Sequence, residues 1–183
     1  VGKCPAGSKM GATLSEILDA RERRVQKQQA LLQRYQKPLL CFTMNIPGPV
    51  KQSRDIAIGF AVGDRLLRNL LHGHPILYRE LTYENTGCEG YYVVDLPAGE
   101  LKFLAIGIED TDPIGRLFDM DVLDIDGRKL SREEMELPRR KCLLCDEDAA
   151  VCARSRAHGL EQLRQRGRVN VLELSQLLGT TAV

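Results

Sequence analysis

Asp119 and Asp121 stand two residues apart in the run G-R-L-F-D-M-D-V, residues 115–122. In an extended chain, side chains at i and i+2 leave the same face. This spacing therefore predicts two carboxylates projecting together while Phe118, Met120 and Val122 enter a buried face. Paired carboxylates fill a core poorly and seat a hard divalent cation well. Mg²⁺ is typically held by one or two protein carboxylates plus substrate phosphates, as in polymerase-like phosphoryl-transfer sites. A solvated strand face is the competing reading, and two acids alone do not decide between them.

The neighbouring residues extend the same chemistry. Leu101–Glu109, L-K-F-L-A-I-G-I-E, reads as a preceding strand, and Asp110–Gly115 carries the Asp, Pro and Gly of a turn. Such a hairpin would bring Glu109 beside the acids as a third metal ligand or as a base. Gly115 would let backbone approach a phosphate, and Arg116 would offer phosphate a two-pronged fork. For Arg116, an ion pair with Glu109 or Asp112 is the competing reading. Earlier in the chain, P-G-P-V-K-Q-S (47–53) feeds a helix-like run. A helix N-terminus presents free N–H groups, so Gly48, Lys51 and Ser53 form a second candidate phosphate cradle. Pro47 and Pro49 lack an N–H, which leaves an ordinary strand-to-helix turn as the alternative.

A third group lies at R-R-K-C-L-L-C-D-E-D-A-A-V-C-A-R-S-R-A-H, residues 139–158. Arg139 and Arg140, with Lys141, Arg154 and Arg156, could converge on a polyphosphate. Cys142 and Cys145 have a C-x-x-C spacing able to grip zinc, and Cys152 and His158 would complete a Cys₃His set. If residues 148–165 form one helix, however, positions 152 and 158 point in different directions. The expectation is therefore free thiols packed near the sheet, with Zn²⁺ as the alternative.

Which elements must position these groups? Thr13 and Glu16 fit a capping box opening a helix that Pro38 stops near Gln36. Leu39–Ile46 reads as a buried strand, Arg54–Leu71 as a helix, and Pro75–Glu84 with Gly90–Leu96 as a hairpin. Strands at 101–109 and 117–125 follow, then helical stretches at 160–165 and 171–178. The predicted class is α+β. About five strands form a mostly antiparallel, mixed sheet flanked by helices, with a helical C-terminal region. Residues 1–11 read as a flexible leader, 12–138 as the catalytic domain, and 139–183 as a Cys-rich basic region packed on it.

Composition narrows the classes. A chain of 183 residues with 43% hydrophobic residues can bury one core, and no apolar run suggests a membrane span or an export signal. Six cysteines without a signal sequence point to a reducing, cytoplasmic setting. A net charge of +1 argues against a general nucleic-acid surface, yet residues 139–168 hold eight basic against four acidic side chains, a local anion-attracting excess.

Taken in order, N-I-P-G-P-V-K (45–51), D-P-I-G-R-L-F-D-M-D-V (112–122), L-P-R-R-K-C-L-L-C, A-A-V-C-A-R and His158 resemble one family, apo-citrate lyase phosphoribosyl-dephospho-CoA transferase. The resemblance runs from about Thr13 to His158. Asp112 departs from it, standing where that family often carries His. The resemblance implies a nucleotidyltransferase-like enzyme using 2'-(5''-triphosphoribosyl)-3'-dephospho-CoA as donor. Its acceptor would be a serine of the acyl carrier (gamma) subunit of citrate lyase, and it would release pyrophosphate. Mg²⁺ on Asp119 and Asp121 would bridge the triphosphate, with Glu109 as third ligand or base and Arg116, Lys51, Arg139 and Arg140 on phosphates. Two alternatives stand: the same chemistry on a malonate decarboxylase carrier protein, or a non-catalytic zinc-stabilised interaction module.

Overall fold

The computed structural model describes residues 11–111 and 114–167. The predicted leader, Asp112 and the predicted 171–178 helix lie outside the described residues, Gly11 excepted.

Helix α1 (Leu14–Tyr35) opens on the expected capping box: the Glu16 amide donates to the Thr13 hydroxyl while the Glu16 carboxylate accepts from the Thr13 amide. Strand β1 (Leu39–Met44) follows, then helix α2 (Arg54–Leu70), whose Ile56 amide is capped by the Ser53 hydroxyl. Strands β2 (Ile76–Glu84) and β3 (Gly87–Val94) form the predicted hairpin, with a tighter turn than the sequence suggested. Helix α3 (Ala98–Thr111) and a 3₁₀ turn (Gly115–Leu117) precede strand β4 (Phe118–Leu123). A second 3₁₀ turn (Glu133–Met135), helix α4 (Ala149–Ser155) and helical residues 160–167 complete the described chain.

The sheet has four strands in the order β2-β3-β1-β4, every neighbour antiparallel. The predicted fifth strand, 101–109, is instead α3. Its apolar residues are nearly continuous, so no period of two distinguishes strand from helix. What decides is packing: Leu101, Ala105 and Ile108 come to one helical face and bury against the sheet.

One sheet face carries Leu40, Phe42, Tyr92, Val94, Phe118, Met120 and Val122 into the main core beneath α2 and α3. Phe42 stacks on Phe60 at 4.6 Å and meets Phe118 edge-on at 5.1 Å. Gly63 allows this approach, because a Cβ there would lie 2.3 Å from the Phe42 ring. The other face carries Leu39, Cys41, Tyr91 and Val93 against Leu31 and Leu32 of α1. Each fully buried large side chain contributes about 1.5–3 kcal/mol. The two cores clamp β1 and β3 from both sides, and β4 forms one edge of the sheet.

Two buried charges on α3 close that edge. Lys102 donates from Nζ to the Met120 carbonyl at 2.9 Å, and the Met120 amide donates to Glu109 Oε1 at 2.8 Å. An edge strand exposes unpaired N–H and C=O groups, and here one helix satisfies both groups of Met120.

Candidate active site

Strand β4 alternates as its sequence predicts. Phe118, Met120 and Val122 are fully buried, while Asp119 and Asp121 leave the opposite face. Register places Asp119 across from Thr43 and Asp121 across from Cys41, with Glu89 and Tyr91 of β3 one strand further on. Burial pushes the Cys41 thiol up to about 12, so it stays protonated at neutral pH. Lys129, returning along the edge after the turn at Gly127, reaches Asp121 Oδ2 at 2.6 Å. Arg140 Nη1 stands 3.6 Å from Asp119 Oδ1. Partial desolvation, then the charge of Asp121, holds the Asp119 carboxyl above its ordinary range, against the pull of Arg140 and Lys129. Two carboxylates repelling one another on one rigid strand, flanked by two cations, suit a divalent cation carrying polyphosphate.

The other predicted residues divide. Glu109 lies on α3 rather than at a hairpin end, and its two oxygens are held by the Met120 amide and by Arg132 Nη2 at 2.6 Å. Gly115 does allow a close backbone approach, but to protein: a Cβ there would lie 2.3 Å from the Ile108 carbonyl oxygen. Arg116 donates to the carbonyls of Lys141, at 2.8 Å, and Cys142, so its guanidinium serves the chain itself. Arg139 pairs with Glu133 and Asp148. Arg140 donates to the carbonyls of Arg116 and Phe118, leaving Nη1 turned to Asp119.

The loop after β1 begins at the same end of the sheet, since the Asn45 amide donates to the Leu117 carbonyl at 2.7 Å. Lys51 donates back to the Ile46 carbonyl, and burial, then the charge of Arg21, lowers its pKa. Ser53 caps α2. Gly48, at φ +92°, admits Arg164, whose Nε would lie 2.4 Å from a Cβ there. Arg164, 116 positions away in sequence, is therefore a cation at this loop that residue order did not signal. Lys129 was likewise missed; its one signal is the Asp126-Gly127 turn that sends the chain back along β4.

The cysteine segment corrects the sequence-based geometry. Helix α4 ends at Ser155, and Arg156 adopts a left-handed cap at φ 50°. The Ala157 amide donates to the Cys152 carbonyl as the chain reverses. His158 is thereby returned to the cluster, and one ligand atom each from Cys142, Cys145, Cys152 and His158 lies within 4.8 Å of every other.

The sequence matches known proteins over most of its length. Residues 12–172 match the family model described as apo-citrate lyase phosphoribosyl-dephospho-CoA transferase. A protein of Vibrio cholerae serotype O1, described as a probable apo-citrate lyase phosphoribosyl-dephospho-CoA transferase, is 40% identical over 157 residues, covering 84% of this chain and 88% of its own. An Escherichia coli O1:K1 protein with the same description, without "probable", is 40% identical over 156 residues, covering 84% and 85% respectively.

Proposed function

We propose a function from one premise: the chain belongs to the apo-citrate lyase phosphoribosyl-dephospho-CoA transferase family. It transfers the phosphoribosyl-dephospho-CoA group onto apo-citrate lyase. In our reading the donor is 2'-(5''-triphosphoribosyl)-3'-dephospho-CoA and the acceptor is a serine hydroxyl of the acyl carrier (gamma) subunit. The chemistry is of the nucleotidyltransferase type, carried by the 12–138 catalytic domain, in the cytoplasm. Among the described residues no helix is long and apolar enough to cross a membrane.

The observation that carries the site assignment is the pairing of Asp119 and Asp121 on one face of β4 with Arg140 and Lys129 beside them. Paired hard oxygen donors, one of them raised by desolvation and then by its neighbour's charge, fit Mg²⁺, and Asp119 and Asp121 are the residues that would hold it. Bound there, Mg²⁺ would supply charge neutralisation on the triphosphate.

The chain's own residues supply position and charge. The serine oxygen attacks the α-phosphorus, the bond from that phosphorus to the bridging oxygen breaks, and pyrophosphate departs carrying that oxygen. The serine proton passes to a nearby carboxylate or to solvent. Arg140 Nη1 and Lys129 Nζ, both at the rim, take phosphate oxygens and offset charge growing on the leaving group. Gly48 and Arg164 meet a more distant part of this long anionic donor. Glu109, with both oxygens engaged, positions β4 through Met120 rather than touching reactants. Incubating the protein with apo-carrier, donor and Mg²⁺ should add the mass of one prosthetic group to the carrier. An unchanged carrier mass would overturn the reading.

A further inference from the structure

We propose that Cys142, Cys145, Cys152 and His158 form a structural zinc site that holds the 140–158 segment against β4. Three different local structures deliver the four ligands. The Cys142 amide donates to the Glu147 carbonyl at 2.7 Å and the Ala149 amide to the Arg140 carbonyl at 2.9 Å, closing a small loop around C-x-x-C. Helix α4 presents Cys152 inward, buried at 8% exposure, and the left-handed Arg156 turns His158 back over it.

The distances suit one ion. Cys145 Sγ lies 3.5 Å from Cys152 Sγ and 3.2 Å from His158 Nε2. A tetrahedral ion bound to sulfur at ~2.3 Å and nitrogen at ~2.0 Å holds its ligand atoms roughly 3.5–3.8 Å apart. Three soft thiolates with one imidazole select Zn²⁺ over the hard cation suited to Asp119 and Asp121. Binding would release the three thiol protons to solvent and leave a site of net charge −1.

The remaining buried cysteines make a useful contrast. Cys41 takes a hydrogen bond from Gln28, and Cys88 lies in the main core. Among the described residues, neither belongs to a group of three or more potential ligands. The 136–158 segment, by contrast, carries only a bridge between Lys141 and Asp148 and the seven residues of α4 as regular structure. A metal there replaces the core that so short a stretch cannot build. It also fixes Arg140, which the same segment carries to Asp119.

The test uses the full-length chain purified under reducing conditions, with metal content measured by inductively coupled plasma mass spectrometry. One zinc per chain is expected, together with a thiolate-to-cobalt charge-transfer band after exchange with Co²⁺. A strong chelator should remove the metal and lower the melting temperature by several degrees, and added Zn²⁺ should restore it. Cys145→Ala or His158→Ala should bind less zinc, whereas Asp119→Asn should keep it. Trace zinc in wild type after zinc loading and dialysis would overturn the site, whether or not the variants fold. So would a melting temperature indifferent to chelation, or wild-type Cys145 and Cys152 recovered as a disulfide. None of these outcomes depends on transferase activity, so this site and the proposed reaction can fail separately.

Discussion

Arg116 and Arg140 clasp two backbone segments together from opposite sides. Arg116 Nη2 donates to the carbonyls of Lys141, at 2.8 Å, and Cys142, while Arg140 Nη2 donates to those of Arg116 and Phe118 at 2.6 and 2.5 Å. The clasp joins the start of β4 to the cysteine segment and aims the remaining edge of Arg140 at Asp119. Two arginines that look equivalent in sequence therefore have different tasks.

Arg140→Ala should lower kcat/KM for the donor about 100-fold, corresponding to about 3 kcal/mol of lost phosphate contact and carbonyl support. Arg140→Lys should recover little of it, because an ammonium cannot reach two carbonyls and a phosphate in the same plane. Steady-state kinetics with varied donor check both. Full rescue by lysine would mean that Arg140 acts only as a point charge.

Glu109→Gln tests the reading of Glu109 as a positioning residue. The amide keeps an acceptor for the Met120 amide but deprives Arg132, 12% exposed, of one of its two carboxylate partners. Removing one member of a buried pair is costly. A stability loss of about 2–3 kcal/mol by urea denaturation is expected, with zinc content unchanged. Wild-type stability combined with abolished transfer would return Glu109 to the reaction itself.

Asp64 sets part of the acid limit of stability. On α2 it accepts from Arg79 Nε and Nη2, each at 2.7 Å, from Arg68 at 3.1 Å and from the Tyr92 hydroxyl at 2.8 Å. Burial alone would raise its carboxyl, but the hydrogen bonds from Arg79 and Tyr92 outweigh burial and hold it below the ordinary range. A depressed folded pKa gives stability present above the unfolded value near 3.8 and lost as pH falls through the folded value. Asp64→Asn should cost about 3 kcal/mol at pH 7 and less as the pH is lowered below 3.8. Thermal melts of both proteins across that range check it. A difference independent of pH would remove the charge from the explanation.

The opposite sign holds at Asp119. Its raised carboxyl, an effect of partial desolvation and Asp121, costs the folded state stability that is absent below the unfolded pKa and fully present above the folded one. At neutral pH Asp119→Asn should melt at or above the wild-type temperature, as befits a residue kept for chemistry at the expense of stability. A marked fall would show that Asp119 supports the fold.

Much of this site was legible in the order of residues. Alternation in F-D-M-D-V predicted which side chains of β4 turn inward, and the capping box at Thr13 predicted the start of α1. Helix α3 was read as a strand because a nine-residue stretch whose only charges are Lys102 and Glu109 fits either element. The better signal was Pro97 ahead of Glu100, a helix start. The cysteine geometry failed at Arg156, a non-glycine residue in a left-handed cap, which residue type does not announce. Nor does sequence say whether a cation meets a ligand or a carbonyl. Lys51 and Arg116 turn inward because loops without a ladder leave carbonyls that need donors.

The measurement that bears most directly on the central assignment is transfer onto apo-carrier, followed by intact mass, with Asp119→Asn and Asp121→Asn compared with wild type. Each amide keeps the side-chain shape and removes the charge that would seat the cation. Both variants should retain the fold and the zinc content of wild type while losing transfer at least 1000-fold, roughly 4 kcal/mol of transition-state stabilisation. Transfer within about tenfold of wild type in both variants would contradict the assignment of chemistry to this pair.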